Sequence, residues 1–272
     1  MYKAAIGVLV TLASAVCIYY YAAEARGPKI VAIASKNHDN SIGMSMLYLS
    51  TGYYVSKYET TQKQYERIMG YNPSRSKGKD IPVTDITVIE AMEFCDRLTY
   101  RESVKGTLPQ GYIYSLPTFE QWKQYLADAP LKGSITPEGK NNKWSSVYPA
   151  PVGSGESNKY GIYDLRGNVK EWSSEIGEDT IVILGSSFQT LKKEHYAYPK
   201  IEVRVVGGSE VTNRDYGFRC LLVKSDKNPL TLTGNSQLHI AAQNGELEAV
   251  KNLISPLKKR PSPAAITPPS GW

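Results

Sequence analysis

Apolar residues along this chain fall into three regimes. The first is a nearly unbroken run from Ala4 to Ala23, behind Met1, Tyr2 and Lys3. A basic start, an apolar run and Ala23-Glu24-Ala25 before Arg26 make the pattern of a secretory signal. The run is also long enough for an uncleaved membrane anchor. Residues 1–25 are therefore expected to be a signal peptide or an anchor spanning residues 4–23. The remainder is expected outside the cytoplasm: periplasmic, at the cell surface or secreted. Residues 26–43 are mostly polar and are expected to be a linker.

The second regime has short periods. Met44 to Lys57 is rich in Tyr, Leu and Val around Ser50-Thr51-Gly52, which predicts two short strands joined by a turn. Three helical patterns follow. They begin at Thr61, Thr87 and Thr118, with Gln64, Glu90 and Gln121 three residues on. In each, the Thr hydroxyl can accept from the third backbone N–H while the acid or amide reaches back. In the second, Val88, Ala91, Met92, Cys95 and Leu98 share one stripe, so Cys95 is expected to face a core. The third regime has no period. Pro151 to Trp172 is dense in Gly, Tyr and oxygen-bearing side chains, which predicts an ordered irregular loop of the kind that carries sites.

Composition changes this picture in two places. The chain of 272 residues has 20 Tyr against 4 Phe, so apolar packing comes with hydroxyls that need partners. The net charge is +6, but there is no basic helix and no basic-aromatic alternation. The charge reads as a solvated surface, and nucleic acid is not expected as a partner. Beyond Cys17 in the apolar run, the cysteines are Cys95 and Cys220. Two cysteines in an exported domain pair most simply as one disulfide.

Six blocks, in order, carry a resemblance. They are SKYETTQKQYERIMGYNPS, IPVTDITVIEAMEFCDRL, YSLPTFEQWKQYL, PVGS through NKYGIYDLRGNVKEW, Gly185-Ser186-Ser187-Phe188, and Asp215-Tyr216-Gly217-Phe218-Arg219-Cys220. The chain resembles the formylglycine-generating enzyme (sulfatase-modifying factor) family, whose corresponding motifs include GNVWEW, RGGSF and NLGFRC. The resemblance implies an α+β, C-type-lectin-like fold with much irregular structure over residues 44–224. It also implies a disulfide joining Cys95 to Cys220, in agreement with the pairing expected from export.

The family's oxidase converts a sulfatase cysteine to formylglycine. It holds Cu(I) on two cysteines just after the GGSF block, because soft Cu(I) needs thiolates. Here the matching positions are Thr190 and His195, and no cysteine lies between Cys95 and Cys220. No catalytic residue is therefore assigned and copper is not expected. The family's groove corresponds to Ser187, Thr190, His195 and Arg204, and would take a peptide, glycan or protein ligand. Arg219 is expected to be a buried structural residue. The alternative is a formylglycine-generating oxidase with altered metal ligands. The resemblance further implies a structural Ca²⁺ held by Asn168, the Val169 carbonyl and Glu171, with Asn141 or Asn142 as candidates for a second site. Against this stands a plain structural role, in which Asn168 caps a turn and Glu171 pairs with a base.

After Cys220 the composition shifts. Residues 230–255, with LHIAAQNGELEAVKNLI, resemble one ankyrin repeat. One such helical hairpin cannot bury its own apolar face, so a protein contact is expected through it. Residues 256–272 are Pro- and Lys-rich and are expected to be a disordered tail.

Overall fold

The computed structural model describes residues 37–130, 148–176, 180–190, 201–205 and 211–226. The expected N-terminal signal or anchor, the ankyrin-like hairpin, the tail, Asn141, Asn142 and His195 lie outside the described residues.

Each helix starts where a Thr is followed three residues later by Gln or Glu. Helices α1 (Gln62–Met69), α2 (Val88–Lys105) and α3 (Phe119–Leu126) all carry complete capping boxes, from Thr61 and Gln64, Thr87 and Glu90, and Thr118 and Gln121. These pairs satisfy N–H groups that a helix start leaves without partners. Helix α2 ends at Gly106 in the left-handed conformation. Its buried stripe holds Val88, Ala91, Cys95 and Leu98 as the pattern predicts, and adds Phe94; Met92 packs at the margin.

The strands form two sheets. In the first, β1 (His38–Asp39), β2 (Ser45–Tyr48), β3 (Tyr54–Ser56), β9 (Leu221–Lys224) and β4 (Tyr112–Ser115) lie side by side in that order. The strand pair expected over residues 44–57 is β2 and β3, with Leu47 opposite Val55. β1 lies inside the stretch expected as a linker, where Ile42 is buried and His38 packs edge-on against Tyr54. β9 inserts between β3 and β4, pairing Val55 with Leu221 and Tyr114 with Leu222.

The second sheet runs β7 (Ile201–Val205), β6 (Thr180–Leu184), β5 (Lys170–Ile176), β8 (Tyr216–Gly217). β8 pairs parallel to β5, with Lys170 opposite Tyr216 and Glu171 opposite Gly217. This contact needs glycine. A Cβ at Gly217 would lie 2.7 Å from the Val83 carbonyl oxygen and 2.8 Å from a Val169 methyl. Successive β5 side chains point to opposite faces. Trp172 enters the core of Ile86, Phe94, Tyr216 and Phe218, while Glu171 faces Tyr125 of the second core.

Candidate functional site

The loop before β5 is held by its own polar side chains. Asn158 Oδ1 accepts from the backbone N–H of Tyr160 and Ile162, and its Nδ2 donates to the Tyr125 carbonyl at 2.6 Å. Asp164 accepts from the N–H groups of Gly153 and Gly155. Asp164 and Asn168 both sit at φ 58°, in the left-handed region that Asp and Asn tolerate best among non-glycine residues. Side chains thus replace the backbone partners that a sheet or helix would have supplied.

Beneath the loop lies a buried charge cluster. The Arg219 side chain has no solvent exposure. Its Nε donates to Glu171 Oε1 at 2.9 Å, and its other nitrogens donate to the Ser56 and Tyr163 carbonyls at 2.8 Å each. Tyr125 donates to Glu171 Oε2 at 3.3 Å. Glu59 accepts from Asn168 Nδ2 at 2.6 Å and from the Val169 N–H at 3.2 Å. Asn168 Oδ1 accepts from the Ala150 N–H at 2.9 Å. Burial would lower the Arg219 pKa, but Glu171, Tyr125 and Glu59 outweigh it and hold it above its ordinary value. Burial first, then neighbouring Asp164, pushes the Glu59 carboxyl well above the usual carboxylate range; Arg219 and the Val169 N–H oppose this. Asp164 is also raised by burial, against the two glycine N–H groups.

A raised folded-state pKa means that the folded chain keeps a proton the unfolded chain has released. The Glu59 contribution is therefore full below the ordinary carboxylate range and is lost as pH rises through the folded value. Stability should fall as pH is raised above the ordinary carboxylate range, by ~1.4 kcal/mol for each unit by which the folded value exceeds the unfolded one. Glu59→Gln should flatten that slope in thermal melts. An unchanged slope would remove Glu59 as its source.

The loop is tied to the groove segment by two backbone bonds. The Phe188 N–H donates to the Asn168 carbonyl, and the Lys170 N–H donates to the Asp215 carbonyl, each at 2.8 Å. At the groove itself, the Ser187 N–H donates to Thr190 Oγ1 at 2.8 Å, and Ser187 Oγ donates to Asp215 Oδ2 at 2.6 Å. Ser187, Thr190 and Asp215 are all buried. Arg204 lies on β7 opposite Ile181. Of the expected groove residues, the structure brings Ser187 and Thr190 together.

A family model described as the sulfatase-modifying factor enzyme 1-like domain matches residues 31–224. The chain belongs to this family. This sulfatase-modifying-factor domain is 30% identical to the chaperone protein LppX of Paenibacillus barcinonensis, over 45% of the chain and 62% of that protein. It is likewise 30% identical to the inactive C-alpha-formylglycine-generating enzyme 2 of Mus musculus, over 39% of the chain and 42% of that protein. The chain thus spans less than two thirds of the length of these curated relatives. Among solved structures, PvdO from Pseudomonas aeruginosa aligns with a TM-score of 0.52 at 12% identity, covering 71% of this chain and all of that one. Treponema denticola variable protein 1 aligns at 0.50 and 19% identity, over 71% of this chain and 92% of that one. At these identities the likeness is one of fold: mixed sheet and helix.

Within this sulfatase-modifying-factor domain the expected ligand sets can be compared with their surroundings. Both Glu171 oxygens and Asn168 Oδ1 accept from protein donors, and Arg219 Nε is one of the donors to Glu171. Among the described residues no group of three or more His, Cys, Asp and Glu could hold a metal ion. Cys95 and Cys220 face one another in the core with sulfurs 3.9 Å apart, both as thiols. Burial, and then the Cys220 neighbour, pushes the Cys95 thiol well up.

Sequence reasoning missed Glu59, Asp164, Tyr125 and Asp215. Asp215 had a signal: it is a carboxylate where the family motif has Asn. Glu59 and Asp164 had none, because an acid beside a turn is ordinarily solvated.

Proposed function

We propose that this domain does not oxidise sulfatase cysteines and works outside the cytoplasm as a binding module. The groove at Ser187, Thr190, His195 and Arg204 would take a peptide, glycan or protein ligand. The observation that carries this proposal is Thr190. Its hydroxyl stands where the family's oxidase has a thiolate, and it is buried in a hydrogen bond from Ser187. A hydroxyl so placed cannot serve as a soft ligand for Cu(I). The mouse relative named as inactive accords with this view.

Three further features belong to the proposal. Cys95 and Cys220, already neighbours, form a disulfide on export; by the chain-entropy account it would stabilise by roughly 4 to 5 kcal/mol. Residues 1–25 direct export or anchor the chain. Residues 230–255 make a protein contact. For the loop, we propose that the Arg219 guanidinium, rather than calcium, balances Glu171. A thermal melt should then be unchanged by excess chelator, and a fall in Tm on chelation would restore the calcium site at Asn168, Val169 and Glu171.

The binding role is tested by probing peptide and glycan arrays with the full chain. Specific hits weakened at least tenfold by Thr190→Leu are expected. Arrays with no hit, or hits indifferent to that substitution, would contradict it.

A further inference from the structure

The second sheet ends on β7, which among the described strands pairs only with β6. A strand at the end of a sheet turns a row of backbone N–H and C=O groups away from its one neighbour, and that row is a template for another strand. Folded proteins usually blunt such an edge with a very short strand, a bulge or a proline. At the other end of this sheet, β8 is only two residues long. β7 is five residues long and has no proline. It pairs with β6 without a break in register, from Ile201 opposite Leu184 to Val205 opposite Thr180.

The sequence of β7 is Ile201-Glu202-Val203-Arg204-Val205, with opposite charges placed symmetrically about Val203. Residues directly opposite one another in a strand pair share a face of the sheet. Glu202 stands opposite Ile183 and Arg204 opposite Ile181, and both isoleucines belong to the first core. Glu202 and Arg204 therefore take that face at the margin of the sheet, and Ile201, Val203 and Val205 take the other.

The charges limit which strand could be added. A second β7 laid parallel and in register would set Glu202 against Glu202 and Arg204 against Arg204, and like charges directly opposite are destabilising. An antiparallel copy with its two-fold axis at Glu202 or at Arg204 also sets like against like. A slip of one residue sets the charged face of one strand beside the apolar face of the other. With the axis at Val203, Glu202 of each copy meets Arg204 of the other, and Ile201 meets Val205. A two-fold contact of this kind is closed, so it joins two copies and stops.

We propose that β7 is a homodimer interface: two copies of this chain pair antiparallel along β7 about a two-fold axis at Val203, joining their four-stranded sheets into one. The occupant of the edge is thus a second copy of the same strand, selected by charge complementarity. Five residues of edge bury less surface than a standard stable interface, so the dimer forms in a concentration-dependent way.

The test is sedimentation velocity of the full chain in mild detergent, over a series of concentrations. The unsubstituted chain should show a monomer–dimer equilibrium. Glu202→Lys sets a base against Arg204, and Arg204→Glu sets an acid against Glu202, twice in each dimer. Each should weaken dimerisation at least tenfold. The double variant Glu202→Lys/Arg204→Glu restores opposite charges across the axis and should dimerise as the unsubstituted chain does. An equimolar mixture of the two single variants should do the same. This recovery separates lost charge pairing from a lost fold. A chain that stays monomeric, single variants that dimerise undiminished, or a double variant that does not recover would each overturn the interface. The readout uses no ligand, so its outcome is independent of the binding role proposed above.

Discussion

Arg219→Met is expected to destabilise the domain by about 3 to 5 kcal/mol in urea unfolding, a large share of the stability of an ordinary domain. The side chain is fully buried and makes three hydrogen bonds. Its loss leaves the Glu171 carboxylate buried without its cation and the Ser56 and Tyr163 carbonyls without donors. An uncompensated buried charge is the costliest of these. Adding Glu171→Gln in the same chain should recover part of the loss, since it removes the stranded charge but not the stranded carbonyls. If the double variant is no more stable than Arg219→Met alone, the ion pair is not what anchors the loop to β3 and β5.

Trp172→Ala should cost about 3 to 5 kcal/mol in the same measurement. Trp172 is fully buried and packs edge-on against Tyr216 at 5.2 Å between ring centres. Its Nε1 donates to the Ile86 carbonyl at 3.2 Å. Truncation would open a cavity between β5, β8 and the segment leading into α2, and would strand that carbonyl. Trp172→Phe should lose less, because it keeps most of the packing and forfeits mainly the hydrogen bond. Equal losses for Ala and Phe would place the energy in that single bond rather than in the packing.

Local parts of the fold were legible. The three capping boxes are written in adjacent residues, so Thr61, Thr87 and Thr118 mark helix starts without any tertiary knowledge. The stripe on α2 that buries Cys95 follows from helical period alone. What was not legible is pairing between distant segments. Nothing in Leu221 to Lys224 says that they insert between β3 and β4, and nothing in Tyr216-Gly217 says that they run parallel to β5. The short first strand was hidden because His38 and Asp39 read as polar linker while their partners lie in β2.

The site divided in the same way. Asn168 and Glu171 stood out as oxygen-bearing residues on a loop. Their partners, Glu59 and Arg219, come from segments far away in sequence. The resemblance implies a calcium ion for that loop, and the Arg219 guanidinium beside Glu171 was not legible as its neighbour there. At the groove, Thr190 was visible as a missing thiol. The Asp215 carboxylate could be found only by following where Ser187 points.

We propose that the family's oxidase chemistry is absent from this domain. It is tested most directly by incubating the full chain with a peptide bearing Cys-x-Pro-x-Arg, Cu(I) and oxygen, and measuring aldehyde by mass spectrometry. With Thr190 in place of a thiolate, aldehyde should stay at the level of a control without protein. Aldehyde well above that control would contradict the account.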